Sequence, residues 1–294
     1  MDVLVHMRTF VRVVETGSLS AAARSLRVSL PAVSRQLRAL EEDLATQLIA
    51  RSTRRLSVTD AGKRYYAECL RVLRSADNAR DAVSAEGAAR GTLVVSAPVS
   101  LGLRFVVPRM APLLRAHPDL AIELRLEDRI VDLVGDAVDI AVRGNAPAPD
   151  SHAVIAQPLF TFRRHVVGSP AYLKRRGTPK DLDAIADHDC VAQISPLQIA
   201  TRWELEQTSS GERRSLTIQG VLRSNAPIVL RDLALDGAGL ALLPEWLVED
   251  DLARGALRRV LPTWASVPFT VYTVHRAELR GTLRIKAFLD AIRR

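Results

Sequence analysis

Ser34, Arg35 and Arg38 stand close together in the chain. At helical spacing these three, with Pro31, fall opposite the apolar series Val33, Leu37, Leu40 and Leu44. Arginine presents a planar fork of N–H donors that fits a guanine edge or a phosphate, and a serine is small enough to let a helix sit deep in a major groove. A second basic group follows in Leu48-Ile49-Ala50-Arg51-Ser52-Thr53-Arg54-Arg55-Leu56-Ser57-Val58-Thr59. Two short strand-like pieces flank a turn there, placing Arg51, Arg54 and Arg55 to meet phosphates or a narrow minor groove.

Other chemistry is weakly supported. His188 and Cys190, flanked by Asp187 and Asp189, have no second ligand pair elsewhere and fall short of a zinc pattern. Gly237-Ala238-Gly239-Leu240-Ala241-Leu242 lacks the third glycine of a dinucleotide loop. No Gly-x-Ser-x-Gly and no His-Glu-x-x-His occurs. The expectation is therefore a protein without catalytic residues, metal or cofactor.

The elements that must position the arginines are readable. Leu4, Met7, Phe10, Val11 and Val14 give one amphipathic helix, ended by Thr16-Gly17-Ser18. A small-residue helix with Ala21, Ala22, Ala23 and Leu26 follows, with Ser18 or Ser20 as its N-cap. The turn Arg27-Val28-Ser29 leads to a third helix over about 31–45, with Pro31 in its first turn. Three helices and a basic hairpin make a winged helix-turn-helix over 1–58. The expected DNA contacts are Ser20, Leu30, Pro31, Ser34, Arg35, Arg38, Arg51, Arg54 and Arg55.

From Thr59 or Asp60 to about Glu86 nothing breaks a helix. Ala61, Tyr65, Cys69, Val72, Ala76, Ala79 and Val83 form one stripe along it. Such a helix either packs on its own domain or forms a dimer seam, and its length favours the seam. Residues 59–90 are read as this linker and a hinge. A two-fold dimer would set two recognition helices on a dyad-symmetric site in double-stranded DNA.

Charge agrees with this placement. The chain of 294 residues carries a net charge of +8. Residues 1–64 hold 11 Lys/Arg against 6 Asp/Glu, so most of the excess lies at the front. The two cysteines, Cys69 and Cys190, are far apart, which suits a reducing compartment rather than a disulfide scaffold. The first residues lack a secretory pattern and no apolar run spans a bilayer, so a cytoplasmic location without membrane contact is expected.

Beyond Glu86-Gly87-Ala88-Ala89-Arg90-Gly91, strand and helix signals alternate. Thr92–Ser96, Ala121–Leu126 and Ile140–Arg143 read as strands, with helices reaching about Ala116 and from Ile130 to Gly135. A second unit holds Val191–Ile194, a helix near 226–236 and Leu240–Pro244. This is an α/β pattern with a largely parallel sheet. The domain spans 91–294, as lobe one (91–162 plus 266–294) and lobe two (163–265).

Phe10-Val11-Arg12-Val13-Val14-Glu15-Thr16-Gly17-Ser18, Ala21-Ala22, Leu26, Pro31 through Glu41, Leu56, Thr59 and Ala61-Gly62 together resemble the LysR-type transcriptional regulators. Asp139-Ile140-Ala141-Val142-Arg143, Gly168-Ser169-Pro170-Ala171-Tyr172-Leu173, Gly237 through Trp246 and Phe288-Leu289-Asp290 extend the resemblance over nearly the whole chain. Two departures stand out: Leu30 replaces a glutamine usual before this proline, and Tyr272-Thr273 stands where Tyr-Pro is common. Leucine lacks the paired hydrogen bonds of an amide to adenine, so base preference there should differ.

The resemblance implies a sequence-specific DNA-binding regulator whose C-terminal domain has the two-lobed fold of periplasmic binding proteins. It further implies an inducer cleft between the lobes, dimerisation through the linker helix, a homotetramer, and contact with RNA polymerase if the protein activates. Within the cleft, Ser96, Val99, Ser100 and Leu101 are the candidate contacts from lobe one, where a helix N-terminus offers N–H groups to an anion. Ser195 and Asn225 are the candidates from lobe two, and a small carboxylate is the default effector. A nonspecific DNA-packaging protein would need the basic head but not the cleft-forming domain. A solute-binding protein would need the domain but not the head.

Overall fold

The structure, a computed structural model, describes residues 2–51, 56–82, 88–144, 154–194 and 201–293. They form two compact units, Met1–Gly87 and Ala88–Arg294.

In the first unit, α1 (Val3–Thr16) ends at Gly17, whose φ of 62° is the left-handed conformation glycine adopts without penalty. Ser18 caps α2 (Leu19–Leu26) by accepting the Ala21 N–H, and Ser29 caps α3 (Leu30–Asp43) by accepting that of Ala32. Antiparallel β1 (Ile49–Arg51) and β2 (Leu56–Val58) form the base of the wing. Helix α4 (Asp60–Ala82) follows. Phe10, Val13, Ala22, Val33, Leu37, Leu40 and Leu48 fill the core. Gly62 touches the β1 side so closely that a Cβ would collide with the Leu48 carbonyl oxygen.

Helix α4 divides the stripe expected of it. Cys69 and Leu73 are buried in the core of this unit, and Tyr65 packs on Phe10 with ring centroids 5.7 Å apart. Val72 and Ala79 are exposed. The first half of α4 therefore serves its own domain, because α1 supplies an apolar face that the periodicity alone does not reveal. Val83 lies outside the described residues.

The second unit contains β3 (Gly91–Ala97), α5 (Val99–Leu101), a π turn (Gly102–Val106), α6 (Val107–Ala116), β4 (Leu120–Leu126), β5 (Ile140–Gly144), β6 (Val154–Phe162), β7 (Arg164–Gly168), α7 (Pro170–Arg176) and β8 (Asp189–Gln193). After these come β9 (Arg202–Gln207), β10 (Arg213–Thr217), β11 (Gln219–Ser224), α8 (Pro227–Leu235), β12 (Leu240–Pro244), α9 (Glu245–Ala253), β13 (Arg258–Arg259), β14 (Trp264–Ser266), β15 (Phe269–Arg276) and α10 (Leu283–Arg293).

One sheet has the order β4-β3-β5-β15-β6 and a second β11-β8-β12-β7-β13. In each, four strands run in one direction and a single strand, β15 or β7, runs against them. The sheets are thus mixed rather than largely parallel. Strand β7 enters lobe two directly from β6, and β15 returns to lobe one after β14, so both run against their neighbours. A small antiparallel sheet, β10-β9-β14, was not evident from the sequence. Residues 130–135 form turns rather than a helix, because Asp136 and Asp132 carboxylates accept the N–H groups of Asp132 and Val134.

Candidate nucleic-acid interface and ligand cleft

The core of the first unit fixes which face of α3 remains outside. Val33, Leu37 and Leu40 are buried, Leu44 is half-buried, and Thr9 Oγ1 donates to Gln36 Oε1 at 2.8 Å to pin α1 against α3. Pro31, Arg35 and Arg38 are exposed, Ser34 is half-buried, and Leu30 is 44% exposed. Ser20 is exposed on α2. Arg24 and Arg27, exposed at the end of α2 and in the turn, are further cations that the motif reading left out. The side chain of Arg51, and Arg54 and Arg55 altogether, lie outside what the structure describes.

Glu41 braces the wing against α3 by accepting the N–H groups of Leu48 and Ile49 at 2.8 and 3.0 Å. Arg8 reaches Asp77 at 2.8 Å, tying α1 to α4. The exposed arginines are thus mounted on a braced frame.

In the second unit the two lobes are joined where β6 gives way to β7 and β14 to β15. Arg163 spans both crossovers, donating to the Ser266 carbonyl at 2.9 Å and to Glu206 at 2.8 Å. The Arg164 N–H donates to Ser266 Oγ, and its guanidinium lies 4.7 Å from the Phe269 ring centroid. Across the lobes, Phe105 of the π turn meets Trp246 of α9 edge-on at 5.2 Å, beside a 3.3 Å ion pair of Arg104 with Glu249. Helix α5 lies against α8 of the opposite lobe.

The candidate ligand contacts do not all reach a cleft surface. Ser96 is fully buried, with Arg143 Nη2 donating to its Oγ at 2.8 Å. Ser100 and Leu101 are 4% and 6% exposed. Val99 is half-buried, and its N–H is taken by the Asp128 carboxylate at 3.2 Å. Asn225 is exposed, while the turn bond to the Ala226 N–H is made by Ser224. Ser195 lies outside the described residues.

Asp128 and Arg143 are charged groups beside these candidates that the sequence reading did not single out. Both lie just past or at the carboxyl ends of β4 and β5, where α/β sheets bind ligands. Burial pushes the Asp128 carboxyl above the ordinary carboxylate range, opposed by the Val99 N–H and by Arg143.

The residues that resembled metal ligands and a nucleotide loop are structural. His188 Nδ1 meets the Tyr172 hydroxyl at 3.1 Å, and Cys190 Sγ packs on the His188 carbonyl oxygen at 3.6 Å. Burial pushes the Cys69 and Cys190 thiols up to about 11 and about 12, so thiolate chemistry is suppressed at both. Gly239 lets β12 pass the Asp189 backbone, with which any Cβ would collide. Among the described residues no group of three His, Cys, Asp or Glu side chains is placed to hold a metal ion, and no helix is long and apolar enough to cross a membrane.

A helix-turn-helix with exposed arginines, joined to a two-lobed ligand-binding domain, defines a ligand-responsive DNA-binding regulator. Residues 4–63 match the bacterial regulatory helix-turn-helix protein model of the lysR family, and residues 86–294 match the LysR substrate binding domain. The chain belongs to the LysR-type transcriptional regulators.

It is 33% identical to the HTH-type transcriptional regulator PtxR of Pseudomonas aeruginosa, over 99% of this chain and 92% of that protein. Among solved structures it resembles the full-length Vibrio cholerae virulence activator AphB, with a TM-score of 0.62, 27% identity and 98% of both chains covered. It also resembles CrgA, a LysR-type transcriptional regulator from Neisseria meningitidis, with a TM-score of 0.61, 29% identity, and 98% of this chain and 96% of that one covered. The relatives are transcriptional regulators rather than enzymes.

Proposed function

We propose that this regulator reads a dyad-symmetric DNA site in the cytoplasm and that a small molecule held between the lobes of residues 88–294 controls it. The observation that carries the reading is the outward face of α3, where Pro31, Arg35 and Arg38 are exposed above a fully apolar inner face. Ser34, Arg35 and Arg38 meet base edges and phosphates, Leu30 presses on a thymine methyl, and Ser20 meets the backbone. Arg51, Arg54 and Arg55 of the wing reach phosphates or the minor groove.

The chain acts as a homodimer through α4, and dimers pair into a tetramer. An open depression at the root of α4, where Leu44, Leu48, Ala61 and Tyr65 are rimmed by Arg64 and Glu68, supports the dimer by offering a partly apolar surface for a second helix. Val72 and Ala79, exposed further along, extend that surface. Contact with RNA polymerase belongs to this reading if the regulator activates. On the ligand side, Val99 and Asn225 retain exposed surface, whereas Ser96, Ser100 and Leu101 act from beneath it.

The test is selection of fragmented genomic DNA by the purified chain, followed by footprinting. A short dyad-symmetric footprint supports the reading, with preference over random DNA of about 10³ or more. Uniform retention of all fragments overturns it in favour of a packaging protein.

A further inference from the structure

Asp128 and Arg143 both hold hydrogen-bonding capacity that the protein itself does not use. One Asp128 oxygen accepts the Val99 N–H at 3.2 Å. A carboxylate has about four lone-pair sites, so most of its capacity is left for a ligand. Arg143 donates to Ser96 Oγ at 2.8 Å and to the Glu127 carbonyl at 3.3 Å. That uses two of the guanidinium's roughly five N–H groups. The neighbouring charges are committed elsewhere: Arg129 pairs with Glu127 at 2.6 Å and with Asp136 at 2.8 Å. Asp128 and Arg143, which attract each other and share Glu127 as a neighbour, thus keep open hydrogen-bonding sites beside the carboxyl ends of β4 and β5. The strand register puts Ala97 of β3 opposite Leu126 of β4, and Ser96 opposite Ala141 of β5. Asp128 and Arg143 thus lie at the same edge of the sheet.

We propose that the cleft binds an amino-acid-like zwitterion, with its ammonium group on Asp128 and its carboxylate on Arg143. This rests on the inter-lobe reading above and names the ligand class for that site. A plain carboxylate, the default from the sequence, would gain Arg143 but sit beside the negative charge of Asp128. A plain amine would meet the reverse conflict with Arg143. Only a molecule carrying both signs pairs both groups without adding a like charge beside either of them. The first N–H of the helix start that suggested an anion is already taken, because Asp128 holds the Val99 N–H. Burial raises the Asp128 carboxyl although the Val99 N–H and Arg143 oppose it, and a ligand ammonium would add to that opposition.

The experiment uses the full chain with matched triplets of an amino acid, its deaminated acid and its decarboxylated amine. The proteinogenic amino acids form the panel, read by thermal shift and titration calorimetry. At least one amino acid should bind, with its acid and amine counterparts weaker by about tenfold or more. Asp128→Asn, checked by circular dichroism for an intact fold, should weaken that amino acid by about tenfold or more. An acid or amine binding as well as its amino acid, no amino acid binding, or binding insensitive to Asp128→Asn overturns the zwitterion assignment. Val99→Trp separates this failure from failure of the cleft itself. Binding lost in Val99→Trp but kept in Asp128→Asn removes only the ligand class, whereas binding indifferent to both removes the inter-lobe site as well.

Discussion

Glu41, near the end of α3, accepts the backbone N–H of Leu48 at 2.8 Å, and the same oxygen takes that of Ile49 at 3.0 Å. These N–H groups lie just before and at the start of β1, so one carboxylate sets that strand relative to α3. Hydrogen bonds to a charged group are worth about 1.5–3 kcal/mol each, and unmaking them leaves two donors at the buried Leu48 and Ile49. Glu41→Ala should lower unfolding free energy by about 2–3 kcal/mol, and Glu41→Gln, which keeps an acceptor, by about half as much. Urea unfolding followed by circular dichroism measures this. Wild-type stability in Glu41→Ala would show that the brace carries no energy.

Arg35 and Arg54 should separate on DNA. Arg35→Ala is expected to cost about 1–3 kcal/mol on the selected site and much less on a scrambled duplex. Arg54→Ala should weaken both duplexes alike and flatten the salt dependence by about one unit of slope. Fluorescence anisotropy over a salt series reads both effects. Equal losses on the two duplexes for Arg35→Ala would move that side chain from base contact to phosphate contact.

Asp251 is fully buried and ties α8 to the end of α9. Its oxygens take Arg231 at 2.5 and 2.8 Å and Arg254 at 2.6 Å. Removing Asp251 leaves the largely covered Arg231 without its main partner while Arg254 stays solvated, so Asp251→Ala should destabilise the chain by about 1–3 kcal/mol. Combining Asp251→Leu with Arg231→Met should recover much of the loss, since an apolar pair carries no such charge. Thermal unfolding of the three variants decides it; a double variant no better than the single would refute the charge argument.

His165 and His188 give the fold a pH dependence above the carboxylate range. Burial lowers the affinity of each imidazole for a proton, with Arg259 adding at His165 and Arg176 at His188. In the unfolded chain both take a proton near pH 6.5, and in the folded chain only at lower pH. Through that window the unfolded state binds more protons, so stability falls as the medium is acidified. Tm should drop between about pH 7.5 and about pH 5.5, and the double variant His165→Gln, His188→Gln should show a shallower drop. Equal slopes for the two proteins would assign the dependence to other groups.

The first unit was largely legible because its signals are local. Ser18, Ser29 and Gly17 cap helices within three residues of themselves, and the steps between Val33, Leu37 and Leu40 declare a buried face. The candidate ligand site was less so because its residues are brought together by long-range pairing. Nothing near Ser96 in the chain announces that Arg143 will cover it, and Asp128 reaches Val99 only through the β3–β4 register. Residues 130–135 misled for a related reason: their apolar spacing suits a helix, but the Asp132 and Asp136 carboxylates capture its N–H groups. The β9–β14 pairing joins segments separated by the whole of α8, β12 and α9, beyond the reach of periodicity.

The packing of Tyr65, Cys69 and Leu73 into the first core makes α4 a lever with a fixed root rather than a tether. Its 23 residues extend about 34 Å at 1.5 Å per residue. Because the root is rigid, a tilt of about 5° at one end corresponds to a displacement of about 3 Å at the other. Arg8–Asp77, a surface ion pair, and Thr9–Gln36 add contacts from α4 through α1 to α3. Arg35 and Arg38 therefore belong to the same packed body as the root of α4.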